Sequence, residues 1–184
     1  RLTVRKQQGP EEEIGRMPVS EDSFVGSWSG DQTKNFGSEN FVRVAYSPGS
    51  TGALGTGSGS DNKVTYLKFD ISSLDPDSFD RVKLQMTLLG VRKNEAVNQE
   101  TQFLVGMAED SSWTEGSLTW QNKPAVITDE ANLAVSETFH TGDTIHNDPN
   151  LISIPEGTVA TADITEFVLA AKEAGQTSLT LAVN

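Results

Sequence analysis

The chain has 184 residues, a length that fits one domain with a sizeable core, and 35% of its residues are hydrophobic. The formal net charge of −12 would repel nucleic acid and anionic lipid, and no apolar run is long enough to cross a bilayer, so we exclude nucleic-acid binding and membrane insertion. Cysteine is absent, which excludes disulfides, thiol nucleophiles and cysteine-based metal sites.

The first twenty residues divide into a strand and a linker. In residues 1–6, Leu2 and Val4 fall on one side of an alternating pattern, which predicts a short strand. Residues 7–20 are polar, contain a Gly-Pro pair and three consecutive glutamates, and show no period, so we predict a linker there. The globular domain is then expected over residues 21–184.

The remaining sequence carries the signals of short strands joined by turns. Apolar and polar residues alternate over Val82–Leu88, which predicts a strand with one buried face. Further strands are predicted at Phe24-Val25, Phe41–Val44, Tyr66–Phe69, Phe103–Met107, Leu118–Trp120, Leu151–Ile154 and Leu179–Val183. Residues 48–60 are rich in glycine and serine and are predicted to form a loop.

One segment has helical rather than strand spacing. Asp163 is suited to cap the start of a helix, Gly175 is suited to end it, and apolar residues recur between them every three or four positions. Many strands, one short helix and no strand–helix alternation predict an all-β fold, an antiparallel jelly-roll β-sandwich with one short helix.

Several motifs occur together along this sequence. The most specific is Trp113-Thr-Glu-Gly-Ser-Leu-Thr-Trp120-Gln-Asn-Lys-Pro124, and the others are Glu21–Val25, Asn35–Gly37 leading to Phe41–Val44, Tyr66–Leu74, Asp163–Thr165 and Leu179–Leu181. Together these motifs resemble the DNRLRE (disaggregatase-related) domain family. The resemblance implies an extracellular jelly-roll domain without catalysis. Such domains occur in cell-surface and sheath proteins, and some are alginate-binding, carbohydrate-binding modules appended to polysaccharide lyases.

The tryptophans and two aspartates of these motifs are interpreted as structural. Trp113 and Trp120 flank a turn, where large amphipathic rings would pack on the core and donate from the indole N–H, although ligand stacking is the alternative. Asp70 and Asp163 are predicted to stabilise turns rather than act on a substrate.

The two ends of the sequence suggest an assembly. Members of the DNRLRE family usually end with a closing strand of the type Pro-x-Leu-x-Val, and no such strand follows Val183. A missing strand would leave a groove with unpaired backbone groups, which favours strand addition. The strand formed by Arg1, Leu2, Thr3, Val4, Arg5 and Lys6 could fill this groove in a neighbouring copy and build a head-to-tail filament. In the alternative, residues 1–6 end a preceding tandem module.

A glycan-binding face would need exposed aromatic rings beside polar or basic groups. The candidates are Trp28, Lys34, Arg43, Tyr46 and Lys68. The resemblance implies that basic residues in the early strands contact uronate groups in the alginate-binding members. Because Asp31 and Glu39 lie in the same stretch, a neutral glycan stays open as the ligand.

Chemistry beyond binding has little support in the sequence. His140 and His146 lie near Asp143 and Asp148, but their spacing matches no zinc signature, and no residues form a nucleophile or carboxylate-pair motif, so we predict no cofactor and no enzyme. The oxygen-rich turns Asp75–Asp77 and Asp61-Asn62 suit a structural Ca²⁺ ion or ordinary turn hydrogen bonds equally well.

Two functional hypotheses follow. The first is a non-catalytic structural protein outside the cell or at its surface, which forms fibres by donating residues 1–6 to a neighbouring copy. The alternative is a carbohydrate-binding module of a secreted polysaccharide-degrading enzyme.

Overall fold

The structure of the chain is a computed structural model. It describes residues 1–6, 12–47, 49–51, 53–57, 61–92, 100–127, 132–140, 151–153 and 158–184.

Nearly all regular structure in these residues is β-strand. The strands are β1 (Leu2–Lys6), β2 (Glu12–Met17), β3 (Glu21–Gly26), β4 (Lys63–Asp70), β5 (Arg81–Thr87), β6 (Gly90–Arg92), β7 (Glu100–Thr101), β8 (Leu104–Met107), β9 (Leu133–Val135), β10 (Phe139–His140), β11 (Leu151–Ser153), β12 (Val159–Asp163) and β13 (Ser178–Val183). Helix α1 spans Thr165–Glu173, and short 3-10 turns lie at Ala53–Gly55 and Pro76–Ser78. No helix in the described ranges is both long and apolar enough to cross a membrane.

Two antiparallel sheets form a sandwich, which confirms the predicted fold class. One sheet has four strands in the order β12-β5-β1-β2, and the other has five in the order β3-β4-β13-β8-β9. Two small pairs, β10 with β7 and β11 with β6, extend the structure. Buried residues of both sheets belong to one core, in which Leu2 and Val82 pack with Phe69 and Leu181.

Strand β1 lies inside the sandwich of its own chain. It pairs with β5 on one side, where Leu2 faces Leu84, and with β2 on the other, where Leu2 faces Met17. Leu2 and Val4 are both buried in the shared core. Residues 1–6 thus have their partners within the chain, which corrects the expectation that this strand leaves its domain for a neighbouring copy. The alternation of Leu2 and Val4 identified the strand but carried no information about which chain it enters.

The predicted linker contains a strand. Residues 12–17 form β2 at the edge of the four-stranded sheet, with a bulge opposite Val4 and Arg5, whereas residues 7–11 lie outside the described residues. Strand β2 is at most half-buried, and its apolar Ile14 is exposed. An edge strand with charged residues and an outward-facing isoleucine lacks the alternation by which strands are recognised.

Both faces of β4 are buried, one by the core between the sheets and the other by loops on the outer side of the five-stranded sheet. Leu67 and Phe69 face the core between the sheets, while Val64 and Tyr66 face a second apolar cluster on the outer side of the five-stranded sheet. That second cluster is completed by Trp113 and by other residues of the segment that follows β8. The five-stranded sheet is therefore covered on its outer side by loops.

Helix α1 packs against β5 and β13 and contributes Phe167 and Val168 to the main core. Asp163 accepts a hydrogen bond from the backbone N–H of Thr165 at 3.0 Å, so it stabilises the turn into the helix, although the N-cap position is the next residue, Ile164. At the other end Gly175 has φ +71°, and the N–H groups of residues 175 and 176 bond back to the last turn, as in a Schellman motif.

Two predicted strands are absent from the described structure. Residues 41–44 run as an irregular segment up to an isolated bridge between Ala45 and Lys63, and residues 118–120 are turn and coil. In both places aromatic and aliphatic side chains pack from a loop rather than from a hydrogen-bonded strand. The composition of a short segment does not distinguish these two structures.

Candidate functional site

The segment between β3 and β4 presents an exposed tryptophan. Directly after β3 the chain turns tightly, and the N–H groups of Asp31 and Gln32 donate to the carbonyl oxygen of Trp28 at 2.8 and 3.1 Å. Trp28 is 53% exposed, and its ring lies so close to Gly30 that a Cβ atom there would come within 2.4 Å of a ring carbon. Gly30 therefore allows the ring to lie flat on the turn.

The charged side chains around Trp28 largely form ion pairs with one another. The carboxylate of Asp31 lies 2.9 Å from the ammonium of Lys34 and 2.9 Å from that of Lys63, which also pairs with Asp61 at 2.6 Å. Burial acts to raise the pKa of Asp31, but the hydrogen bonds from both lysines outweigh it and hold that pKa below its usual value. The Lys34 ammonium lies 5.9 Å from the ring centroid of Trp28, so the ring and a charge-neutral hydrogen-bonding group share one surface.

Arg43 lies on a group of phenylalanines further along the same segment. Its guanidinium carbon is 4.9 Å from the ring centroid of Phe41 and 5.7 Å from that of Phe24, which stacks on Phe36 at 4.3 Å. Arg43 is exposed, and its carbonyl oxygen accepts a hydrogen bond of 2.7 Å from the hydroxyl of Thr65. The residue is held by β4 while its charged end faces solvent.

Tyr46 and Lys68 occupy different surroundings. Tyr46 is 60% exposed, and its hydroxyl donates to the carbonyl oxygen of Ser50 at 3.2 Å. Lys68 is 9% exposed and points under the loop after β8, where its ammonium contacts Glu21 and Trp113. The structure therefore brings Trp28 and Lys34 together, leaves Arg43 and Tyr46 exposed on the same segment, and makes Lys68 a buried structural residue.

A second feature, a depression beside Lys123, was not predicted from the sequence. A shallow depression of about 280 Å³ is lined by Thr56, Lys123, Pro124, Ala125 and Val126. The ammonium of Lys123 lies 3.9 Å from the ring centroid of Trp120 and donates to the carbonyl oxygen of Trp120 at 3.2 Å. The only sequence signal for this arrangement is a lysine three residues after a tryptophan.

The two tryptophans of the Trp113–Pro124 motif pack against the outer cluster. Trp113 is buried, and its indole N–H donates to the hydroxyl of Thr180 at 3.0 Å. Trp120 is partly buried against the same outer cluster. Core packing is thus confirmed for Trp113, and Asp70 accepts a turn hydrogen bond of 2.9 Å from the N–H of Ser72, as predicted.

Among the residues that the structure describes, no group of three or more His, Asp or Glu side chains is arranged to hold a metal ion. The carboxylate of Asp75 accepts the N–H of Asp77 at 3.1 Å, and Asn62 is buried with its amide donating to the carbonyl oxygen of Gly55 at 2.8 Å. The Asp75–Asp77 turn thus makes an ordinary turn hydrogen bond, whereas Asn62 bonds to a carbonyl group seven residues earlier in the chain. His146, Asp143 and Asp148 lie outside the described residues, as does the side chain of His140.

Comparison with known families finds one that covers most of this surface. Residues 14–144 match the model of carbohydrate-binding module family 96, a range that includes the segment of Trp28 and the depression at Lys123. A comparison with curated proteins finds no match. The family match confirms the carbohydrate-binding type of domain expected from the motifs, while the narrower DNRLRE assignment stays a prediction.

Proposed function

The chain belongs to carbohydrate-binding module family 96, and we propose that it is a non-catalytic module that binds a polysaccharide through the surface of Trp28, Lys34, Arg43 and Tyr46. The family match is the observation that carries this proposal. The filament hypothesis has no comparable support, because β1 pairs with β5 and β2 of its own chain.

The chemistry of the Trp28 surface suits a sugar ring. A pyranose presents a face of C–H groups edged by hydroxyls, and a large exposed indole offers an apolar plane of matching size with little entropy to lose. Beside it, the Lys34–Asp31 pair supplies both donors and acceptors for hydroxyl groups. Because the two charges compensate each other, this part of the surface requires no charge on the sugar.

The wider setting follows from the ligand. We propose that this module works outside the cell or at its surface, where it directs a secreted polysaccharide-degrading enzyme to its substrate. The side chains described above hold the ligand rather than cleave it, so we expect the chain alone to release no new reducing ends from any polysaccharide that it binds.

Affinity gel electrophoresis on a panel of neutral and acidic polysaccharides tests the proposal. We expect retardation in at least one gel and, for Trp28→Ala, a weakening of at least about tenfold, the scale of a central aromatic contact. Leu89→Ala is the matched control, since Leu89 is also a highly exposed apolar residue but belongs to neither surface described above. Unchanged binding by Trp28→Ala would overturn the assignment of the surface, and no retardation in any gel would overturn the function.

A further inference from the structure

The residues that line the depression at Lys123 are anchored to the five-stranded sheet by hydrogen bonds. One wall follows the 3-10 turn at Ala53–Gly55, where the buried amide of Asn62 donates to the carbonyl oxygen of Gly55 at 2.8 Å. The other wall is held by the buried hydroxyl of Tyr66, which donates to the carbonyl oxygen of Pro124 at 3.1 Å, and by a bridge between Ala108 and Val126. Both walls are therefore tied to the five-stranded sheet.

Lys123 differs from the lysines that the structure pairs with acids. Lys34, Lys63 and Lys68 each contact a carboxylate. For Lys123, no carboxylate of a described residue lies within ion-pair distance, although the whole chain has a formal net charge of −12. Its ammonium instead rests on the ring and carbonyl oxygen of Trp120 beside apolar lining from Pro124 and Val126.

The electrostatics of this position favour a bound anion. Burial lowers the pKa of Lys123, which means that the charged form is under-solvated where it stands. An anion within hydrogen-bond distance would stabilise that charge through a charge-assisted hydrogen bond, which is stronger at a partly buried position than in bulk water. A single ammonium beside a small depression matches one anionic substituent rather than a run of charges.

An exposed aromatic ring adjoins the depression. A Cβ atom at Gly55 would come within 3.3 Å of a ring carbon of Tyr46, and the next residue, Thr56, lines the depression. Tyr46 thus contacts the 3-10 turn that leads into Thr56.

We propose that the depression at Thr56 and Lys123 is a subsite for the anionic substituent of a sugar residue, a carboxylate or a sulfate ester, with Lys123 as its cation. The proposal rests on the proposed function in taking a glycan as the ligand, and it adds charge recognition at a place separate from the Trp28–Lys34 pair. Neutral sugars would bind at the surface of Trp28 and Lys34 without using Lys123.

Matched polysaccharides separate the two sources of negative charge. Polygalacturonate is compared with its methyl ester, and dextran sulfate with dextran, by isothermal titration of the full chain. We expect Lys123→Gln to weaken binding of the anionic member of at least one pair by about tenfold, the scale of one charge-assisted hydrogen bond, and to leave the neutral member unchanged. Lys6→Gln, which removes one positive charge from β1, is the control. Equal losses for the two variants would overturn the subsite.

A second measurement keeps the subsite testable without a polymer. The Lys123 side-chain resonances are followed by NMR during titration with methyl glucuronide and with a monosaccharide sulfate, and an upward shift of the Lys123 pKa is expected with at least one of them. No shift with either ligand overturns the subsite even if polysaccharide binding is found. A shift without any polysaccharide binding would support the subsite while the proposed function fails.

Discussion

The ammonium of Lys68 lies 2.8 Å from a carboxylate oxygen of Glu21 and 4.9 Å from the ring centroid of Trp113. The other carboxylate oxygen of Glu21 accepts the N–H of Glu115 at 2.6 Å, and Lys68 also donates to the carbonyl oxygen of Trp113. These contacts join β3 and β4 to the loop that contains Trp113 and Glu115. They hold this loop on the outer face of the five-stranded sheet.

Replacing Lys68 by methionine should destabilise the fold by about 2 kcal/mol, because the Glu21 carboxylate and the Trp113 carbonyl oxygen lose a buried charged partner. Urea unfolding measures the change. Lys34→Met is the matched control: its side chain is 56% exposed in the pair with Asp31, and surface pairs contribute at most about 1 kcal/mol. Equal losses for the two variants would show that the Lys68 pair is as weak as a surface pair.

The same pair predicts part of the acid sensitivity. Burial acts to raise the pKa of Glu21, but the hydrogen bonds from Lys68 and from the N–H of Glu115 outweigh it, and the net pKa lies below the ordinary value of 4.5. A carboxyl whose pKa is lowered by folding stabilises the native state fully above its unfolded pKa, and loses this contribution as the pH falls through the folded pKa. Glu21→Gln should therefore reduce stability at neutral pH and flatten its decline below about pH 5.

Urea midpoints between neutral pH and about pH 3 check this difference. Glu39→Gln, at an exposed position in the segment before β4, serves as the control and should keep the wild-type profile. If the urea midpoints of Glu21→Gln and the wild type decline in parallel as the pH falls, the ion pair does not contribute to the loss of stability in acid.

The indole of Trp113 is the other fixed point of the loop. Its N–H donates to the hydroxyl of Thr180, which in turn donates to the hydroxyl of Ser111 at 2.8 Å. A double-mutant cycle with Trp113→Phe and Thr180→Val should give a coupling energy of about 1 kcal/mol, since each single change removes the same buried hydrogen bond. Additive effects within experimental error would mean that the indole is held by packing alone.

Elements with a strong local pattern could be predicted from the sequence. The alternation of apolar and polar residues over Val82–Leu88 predicted β5, which covers Arg81–Thr87. The helical spacing of apolar residues between Asp163 and Gly175 predicted α1. The tryptophan motif gave a buried indole because so large a ring at a turn has few alternatives to packing. Each of these depends on residues close together in the sequence.

Features that depend on distant residues could not be predicted in this way. Lys68 was a candidate for glycan binding, but its burial depends on Glu21 and on the loop at Trp113, both more than forty residues away. The depression at Lys123 needs Thr56 as its other wall, and no local pattern relates these two positions. The pairing of β1 likewise joins Leu2 to Leu84.

The glycine at the end of α1 makes a prediction about backbone conformation. Gly175 has φ +71°, where a side chain is disfavoured, so Gly175→Ala should cost about 1 kcal/mol. Gly116 is a matched control, because its φ is not in the positive range and a Cβ atom there would meet no atom within 4 Å. Thermal unfolding should show a lower midpoint for Gly175→Ala and little change for Gly116→Ala; the reverse order would contradict the assigned turn geometry.

The position of β1 in the core predicts how its side chains contribute to stability. Leu2 is fully buried between the two sheets, and its loss in Leu2→Ala should destabilise the fold by about 2–4 kcal/mol, the range for a buried leucine. Ile14 in the adjacent strand β2 is 48% exposed, so Ile14→Ala should change the unfolding free energy by less than about 0.5 kcal/mol. Denaturant unfolding of both variants measures these values.

Because β1 pairs within its own chain, the thermal midpoint of the wild-type chain should not depend on protein concentration. A strand supplied by a neighbouring copy would couple folding to association, and the midpoint would then rise with concentration by mass action. Calorimetry over a roughly hundredfold concentration range distinguishes the two cases. A rising midpoint, together with loss of that rise in Leu2→Ala, would place β1 in a neighbouring copy after all.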